Sequence, residues 1–286
     1  MNVLIFGITG MIGNGLFRNI SEFRDINVFG TVRVANNKLF FDDILRENIL
    51  VIKDVMSDKN LEILFKKTKP NFVINCTGVI KQNKYSESPL EVIPINSLFP
   101  HKLIKYCELY NAKLLQLSTD CVFNGLKGNY SEDDIPDAKD LYGLSKIIGE
   151  IKDNRNVLTI RTSVIGHEFQ RKKSFLDWVV NSSKTINGYK NALYSGLTVK
   201  ELVGVIFNHV FEKDLYGLYH ISSNYISKFR LIEIICNIYN INVKIIPNDT
   251  FKIDRTLDGK KFKAKTGYIA PDWEEMIEKY YRTYNI

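Results

Sequence analysis

A doubly wound α/β fold is what this sequence predicts: a parallel sheet with helices on both faces, joined to a smaller mixed α/β lobe. Three observations carry that reading. Short apolar runs rich in Val, Ile and Leu alternate with amphipathic stretches through the first 160 residues. A glycine turn follows the first of these runs immediately. After Arg161 the rhythm changes, and helical patterns dominate with short strands between them.

The elements follow in order. Asn2–Gly7, Asn27–Val32, Ile49–Lys53, Asn71–Thr77, Lys113–Ser118 and Val157–Arg161 read as strands whose composition suits burial on both faces. Met11–Ser21, Asp58–Lys67, Pro94–Tyr110 and Leu141–Lys152 read as helices between them, the second capped by Ser57 or Asp58. Such alternation implies right-handed crossovers. Farther on, Ser174–Ser183, Val199–Phe211, Lys228–Tyr239 and Asp272–Tyr284 read as helices, and Gly217–Ile221 as a strand.

Composition excludes several classes. At 286 residues, 45% hydrophobic and 25% charged, the chain is neither a disulfide miniprotein nor disordered. No apolar run reaches the ~20 residues of a membrane span, and the first run is too short for a signal-peptide core. Cys76, Cys107, Cys121 and Cys236 lie too far apart for a metal site and are too few for a disulfide frame. A reduced, cytoplasmic protein without metal is expected. The net charge of +7 points to an anionic partner. The short basic run Gln170-Arg171-Lys172-Lys173 lacks interleaved aromatics, so neither nucleic acid nor membrane is expected as that partner.

Gly7-Ile8-Thr9-Gly10-Met11-Ile12-Gly13 closes the first strand and opens the first helix. There the first glycine permits a tight turn, the second admits a pyrophosphate, the third lets helix and strand pack, and the helix N-terminus offers free N–H groups. Its place in the first βα unit makes dinucleotide binding the expected role. The second strand ends in Gly30-Thr31-Val32-Arg33, without the carboxylate that grips a ribose 2′-hydroxyl. Arg33 suits a 2′-phosphate instead, which favours NADPH, with NADH as the other candidate. Asp54 is placed to meet adenine. The expected division is residues 1–163 for the dinucleotide-binding domain and 164–286 for a substrate-binding lobe, closely packed with some chain crossing.

Tyr142 and Lys146 stand at i and i+4, one face of a helix, and are the single Tyr-x-x-x-Lys pair among 15 tyrosines. An ammonium beside a phenol favours the phenolate and makes the hydroxyl a usable acid and base. The strand before that helix ends in Ser118-Thr119-Asp120, which puts Thr119 at the C-terminal sheet edge, where ligands bind in such folds.

In combination, Gly7…Gly10…Gly13, Asn75-Cys76-Thr77-Gly78, Ser118-Thr119-Asp120 and Tyr142-Gly-Leu-Ser-Lys146-x-x-Gly149-Glu150 resemble the extended short-chain dehydrogenase/reductase family, with its Rossmann-type sheet. Ser118 to Gly125, Tyr130-Ser131-Glu132 and the Tyr-Gly-x-Ser-Lys run look like its dTDP-4-dehydrorhamnose reductase branch. The resemblance covers most of the first 165 residues and is looser beyond, where Arg161-Thr162-Ser163 fits. It implies a catalytic set of Thr119, Tyr142 and Lys146, with Asn96 supporting the lysine through a water. It implies that Gly7, Thr9, Gly10, Met11, Ile12 and Arg33 hold the adenosine diphosphate half. Asp54 and Val55 would meet adenine. Thr77, Gly78 and Val79 would line the way to the nicotinamide, and Tyr142, Lys146 and Val164 would complete that site. Thr119, Asp120, Cys121, Ser195 and Arg255 are the substrate candidates. The implied reaction is NADPH-dependent reduction of the C4 ketone of a 4-keto-6-deoxy sugar nucleotide, dTDP- or UDP-linked, for surface polysaccharide assembly. A homodimer is a candidate assembly.

Two departures from the branch stand out. Cys121 replaces the usual tyrosine two residues after Thr119, as in GDP-fucose synthase, which epimerises before reducing; Cys121 with His167 is the corresponding candidate pair, beside a small pocket-wall role. Asp254-Arg255-Thr256-Leu257-Asp258 lacks the branch's proline, and Arg255 reads as a diphosphate contact or a surface arginine. Ser195-Gly196-Leu197-Thr198 reads as a pocket wall or a plain turn. Phe175, Trp178 and Trp273 read as packing residues. No glutamate follows Asp120, which disfavours a dehydratase, and Arg33 disfavours an epimerase that retains NAD. The non-enzymatic alternative is a catalytically silent NADP-binding subunit.

Overall fold

The computed structural model describes residues 1–20, 25–81, 85–169 and 172–284. Ser21, the end of the first expected helix, and Gln170 and Arg171 of the basic run lie outside them. In chain order the elements are β1 (Asn2–Phe6), α1 (Met11–Ile20), β2 (Asn27–Val32), α2 (Asp43–Arg46), β3 (Ile49–Val51), α3 (Asp58–Thr68), β4 (Phe72–Asn75), α4 (Pro89–Ile93), α5 (Phe99–Leu109), β5 (Lys113–Thr119), α6 (Leu141–Ile148) and β6 (Val157–Thr162). There follow β7 (Val164–Ile165), α7 (Phe175–Val180), β8 (Thr185–Tyr194), β9 (Leu197–Thr198), α8 (Val199–Val205), β10 (Gly217–His220), β11 (Ile226–Ser227), α9 (Lys228–Ile238), β12 (Lys244–Asp254), α10 (Lys260–Thr266) and α11 (Trp273–Tyr284).

A seven-stranded sheet runs in the order β10-β6-β5-β4-β1-β2-β3. β1 pairs in parallel with both β2 and β4, so the strand order reverses at β1, and β4 pairs in parallel with β5. This is the doubly wound topology the alternating pattern predicts, and ligands of such sheets bind beyond the strand ends at the reversal. On one face Leu4 and Phe6 of β1, Val73 of β4 and Leu114 of β5 pack with Phe65, Phe99, Leu103 and Cys107 from the helices, and Val3, Ile5 and Ile74, which point to the other face, are fully buried too. Phe6 and Phe99 meet edge to face at 5.2 Å.

The chain divides into two compact units. One comprises 1–118, 139–160 and 214–218; the other comprises 119–138, 161–213 and 219–286. The cut at residue 163 differs from this division in the segments 119–138, 161–163 and 214–218. Within the second unit a three-stranded sheet is ordered β11-β8-β12, with β8 and β12 parallel and β11 antiparallel to β8.

Several elements differ from the sequence reading, for physical reasons. The expected helix 94–110 begins earlier, at Pro89, and passes through a π-helical turn at Pro94–Leu98. Pro94 has no N–H to donate back to Leu90 O, and the π turn that starts there is closed by the Phe99 N–H on Pro94 O. The expected helix 199–211 ends likewise in a π turn, Ile206–Val210. β8 and β12, with 10 and 11 residues, were not anticipated. Gly188 and Pro247 interrupt their patterns, and Pro247 is tolerated because β12 is an edge strand. Ser57 is the cap of α3: its side chain accepts the Asn60 N–H.

Close packing fixes one glycine. A Cβ on Gly149, the residue after α6, would stand 2.0 Å from the Asn96 carbonyl oxygen. Gly149→Ala is expected to lower stability by about 1–3 kcal/mol, the usual range for forced overpacking, read as a lower midpoint in urea unfolding. An unchanged midpoint would show that α6 can move away freely.

Candidate active site

The glycine turn is built as the sequence implies. Gly7 lies at φ +80°, a conformation that favours glycine, and its N–H donates to Thr31 Oγ1 at 3.2 Å. A Cβ on Gly13 would stand 2.3 Å from the Gly7 carbonyl oxygen, so α1 can sit on the turn only with glycine there. At Gly10 a Cβ would meet only that oxygen, at 3.5 Å, and the edge is open. The first N–H to bond back into α1 is that of Asn14, to Gly10 O at 2.8 Å. Met11, Ile12 and Gly13 therefore present N–H groups without helical acceptors. Asn14 Nδ2 is buried with no partner among the described residues. An open glycine edge, helix N-terminal donors and the exposed Arg33 after β2 fit a dinucleotide with a 2′-phosphate. Asp54 is exposed, and its Oδ1 accepts the Met56 N–H at 2.8 Å. Val55 lies at the margin of the core. The Thr77 hydroxyl donates to Asn75 Oδ1, and Gly78 is exposed.

Helix α6 carries Tyr142 and Lys146, and a polar clamp holds it. Asn96 Nδ2 donates to Val79 O and to Ser145 Oγ, both at 3.0 Å, while its Oδ1 accepts the Val79 N–H at 2.8 Å. Ser145 Oγ in turn donates to the Tyr142 carbonyl at 2.7 Å, and Ser97 Oγ donates to the Ser145 carbonyl at 2.9 Å. Asp140 caps the helix through the Gly143 N–H and holds the Lys81 ammonium at 2.9 Å; that ammonium lies 5.7 Å from the centre of the half-buried Tyr142 ring. Lys146 is buried, and its Nζ donates to Leu117 O at 2.7 Å. Burial holds its pKa down to about 8, with Glu150 opposing the shift. Burial pushes the neighbouring Cys76 thiol up, so it stays neutral.

In the second unit the residues just after β5 form their own group. Thr119 Oγ1 donates to Asp120 Oδ1 at 3.0 Å and accepts the Cys121 N–H at 3.1 Å. Asp120 is buried, which raises its pKa; Thr119, Arg255 and Lys228 oppose that rise. Arg255 Nε donates to Phe123 O at 2.8 Å, and its Nη1 lies 3.7 Å from Cys121 Sγ. Ser195 is buried, and its Oγ accepts the Leu257 N–H at 2.9 Å. Val164 pairs with Leu197 in a two-stranded ladder.

With this geometry in hand, comparison with known proteins is informative. The family model described as the RmlD substrate binding domain matches residues 1–286. The chain belongs to that family. The mouse protein named methionine adenosyltransferase 2 subunit beta is 21% identical over 98% of this chain and 90% of its own length. A dTDP-4-dehydrorhamnose reductase of Streptomyces griseus is 35% identical over 83 residues, 29% of this chain and 27% of its own. A crystal structure of dTDP-4-dehydrorhamnose reductase from Bacillus anthracis, in complex with NADP, superposes with a TM-score of 0.78 at 21% identity over 99% of both chains. The fold is therefore that of this reductase family.

For this family member the structure gathers the expected residues into two groups. Asn96, Val79, Tyr142 and Lys146 are linked in the first unit; Thr119, Asp120, Cys121 and Arg255 are linked in the second. His167 has other partners: its Nδ1 lies 2.6 Å from Asp177 Oδ1, its ring lies against Tyr239 and Tyr280, and its N–H donates to the Tyr280 hydroxyl. Sequence reasoning passed over Ser97, Ser145 and Lys228. Ser97 carries no distinctive spacing, and Ser145 stands within the Tyr-Gly-x-Ser-Lys run without a role assigned to it there. Lys228 did leave a signal, since a lysine directly after the capping serine of a helix opposes the helix dipole. Among the described residues no group of three or more His, Cys, Asp or Glu could hold a metal, and no helix is long and apolar enough to cross a membrane.

Asn96→Ala should leave the Val79 backbone groups and Ser145 Oγ short of partners. A loss of about 1–3 kcal/mol is expected for such unsatisfied buried groups, measured by urea unfolding. A loss below about 0.5 kcal/mol, within the range of surface substitutions, would mean that the clamp is dispensable.

Proposed function

We propose that this protein is an NADPH-dependent reductase of the C4 ketone of a 4-keto-6-deoxy sugar nucleotide, dTDP- or UDP-linked, acting in surface polysaccharide biosynthesis. The observation that carries the reading is the buried Lys146 ammonium, one turn after Tyr142 on a clamped helix and bonded to Leu117 O two residues before Thr119 in the chain. In this reading the first unit binds cofactor and the second binds the sugar. Gly7, Thr9, Gly10, Met11 and Ile12 cradle the pyrophosphate, Arg33 takes the 2′-phosphate, and Asp54 and Val55 meet adenine. Thr77, Gly78, Val79 and Val164 line the nicotinamide side. When bound, NADPH supplies the hydride that the ketone carbon accepts.

The chain's own residues handle the proton. The Tyr142 hydroxyl gives its proton to the ketone oxygen as that oxygen takes up charge, leaving an alcohol and a phenolate. Lys146, charged below about pH 8, stabilises the phenolate until water reprotonates it. Thr119 orients the same oxygen. Arg255 and Cys121 belong to the sugar side of the pocket.

A second reading draws support from the mouse relative, which its name describes as a subunit of methionine adenosyltransferase. It makes the chain a cofactor-binding partner without turnover. NADPH consumption with a panel of dTDP- and UDP-linked 4-keto-6-deoxy sugars, followed by product NMR, separates the two: oxidation with formation of a C4 alcohol supports the reductase, and inactivity across the panel supports the subunit.

Tyr142→Phe is expected to lower kcat by about 10²–10⁴ with NADPH affinity retained, measured by fluorescence titration; wild-type turnover would reject Tyr142 as the acid. The wild-type kcat should also fall as pH rises through about 8, because Lys146 then loses its proton. A flat profile from pH 7 to 9.5 would remove Lys146 from the chemistry.

A further inference from the structure

Helix α9 opens on a residue of unfavourable charge. Lys228 is its first helical residue, directly after Ser227, whose side chain accepts the Arg230 N–H at 3.1 Å. Helix N-termini carry positive partial charge, so an ammonium there is disfavoured. The residue is partly buried, and Nζ lies 3.6 Å from the centre of the Tyr194 ring and 4.2 Å from that of Phe175. Among the described residues, Nζ donates no hydrogen bond; two ring faces and the attraction of Asp120 and Cys121 are what hold its charge. The helix dipole does not favour a lysine at this position.

Several donors of the corner it faces are already committed. The only proton on Thr119 Oγ1 is committed to Asp120, and the Arg255 guanidinium is engaged with Phe123 O and beside Cys121 Sγ. Lys228 brings three unspent N–H groups to that corner. We propose that Lys228 is a substrate-binding residue whose ammonium donates to an uncharged acceptor oxygen, hydroxyl or carbonyl, of the sugar bound beside Thr119. A sugar oxygen fits better than a phosphate because Asp120, buried beside Lys228, already supplies negative charge and repels a second anion. The inference deepens the sugar-nucleotide reading and rests on it.

The test compares wild type, Lys228→Met and Lys228→Gln. Affinities for NADPH, for UDP and dTDP, and for each 4-keto sugar nucleotide of the panel are measured by calorimetry, alongside KM, kcat and Tm. Expected are a tenfold or greater rise in sugar-nucleotide KM and Kd, less than twofold change for NADPH and the bare diphosphates, and a Tm that is unchanged or raised. An unaltered sugar-nucleotide Kd overturns the proposal. So does an equal loss for UDP or dTDP, which would make Lys228 a phosphate contact, or a fall in Tm in both variants, which would make it structural. If wild type turns over no sugar but binds one through Lys228, the reduction fails and the binding role stands. If it binds none, both fall.

Discussion

The close approach of α6 to the 94–98 turn is the constraint from which the rest of the first unit's site follows. Asn96 faces α6 twice, with its carbonyl oxygen against Gly149 and its amide on Ser145. Neither contact tolerates a larger residue or a shift of one turn. Because Tyr142 and Lys146 are rotationally locked to the same short helix, the clamp sets the direction of both. The helix has only eight residues and cannot hold its position by its own propensity. A cap at Asp140, a serine pair and one glycine do that work.

Burying positive charge is the second theme, and the chain solves it in three ways. Lys146 is given a carbonyl oxygen and a carboxylate at a distance. Arg161, fully buried in the second unit, lies over the Phe123 ring and reaches His220 Nε2 at 3.3 Å. A guanidinium only donates and a carbonyl only accepts, so Nε2 takes the hydrogen bond and Nδ1–H donates to Tyr130 O. The imidazole is therefore neutral, and burial with the nearby Arg161 pushes its pKa down to about 3. Lys228 is held by rings and by the field of Asp120, with no bonded acceptor. The first two cations are buried and bonded within the protein; Lys228 is only partly buried and donates no hydrogen bond among the described residues. The net charge of +7 thus has a specific interior component as well as a surface one.

Legibility followed periodicity and spacing. The strands of the large sheet were readable because burial on both faces leaves unbroken apolar runs, as in Val3 to Phe6. The glycine turn was readable because only glycine meets its three demands. The Tyr142–Lys146 pair was readable because 3.6-residue periodicity fixes which side chains share a face. What escaped obeys no local period. β12 alternates poorly, since it is an exposed edge strand interrupted by Pro247. The π turns at Pro94–Leu98 and Ile206–Val210 interrupt the 3.6-residue period. The clamp on α6 joins residues 49 positions apart, and its serines look like any others. The exchange of segments between the two units is likewise set by contacts far apart in sequence.

Cys121 brings these strands of reasoning together. In the proposed reading a tyrosine at its position would carry a donor toward the sugar; a cysteine carries only a weak one. Here the thiol lies beside the Arg255 guanidinium and within the field of Lys228, two cations that no resemblance pairs with it. Sulfur accepts hydrogen bonds weakly, so the Phe123 carbonyl at 2.8 Å does more than the thiol to position the guanidinium. A base role would also need an acid partner, and His167 is committed to Asp177 and the Tyr239 and Tyr280 rings. The donor that a tyrosine would have provided therefore has to come from elsewhere in the same corner. Besides the N–H groups of Arg255 not spent on Phe123 O and Cys121 Sγ, the lysine at the head of α9 has hydrogens to give.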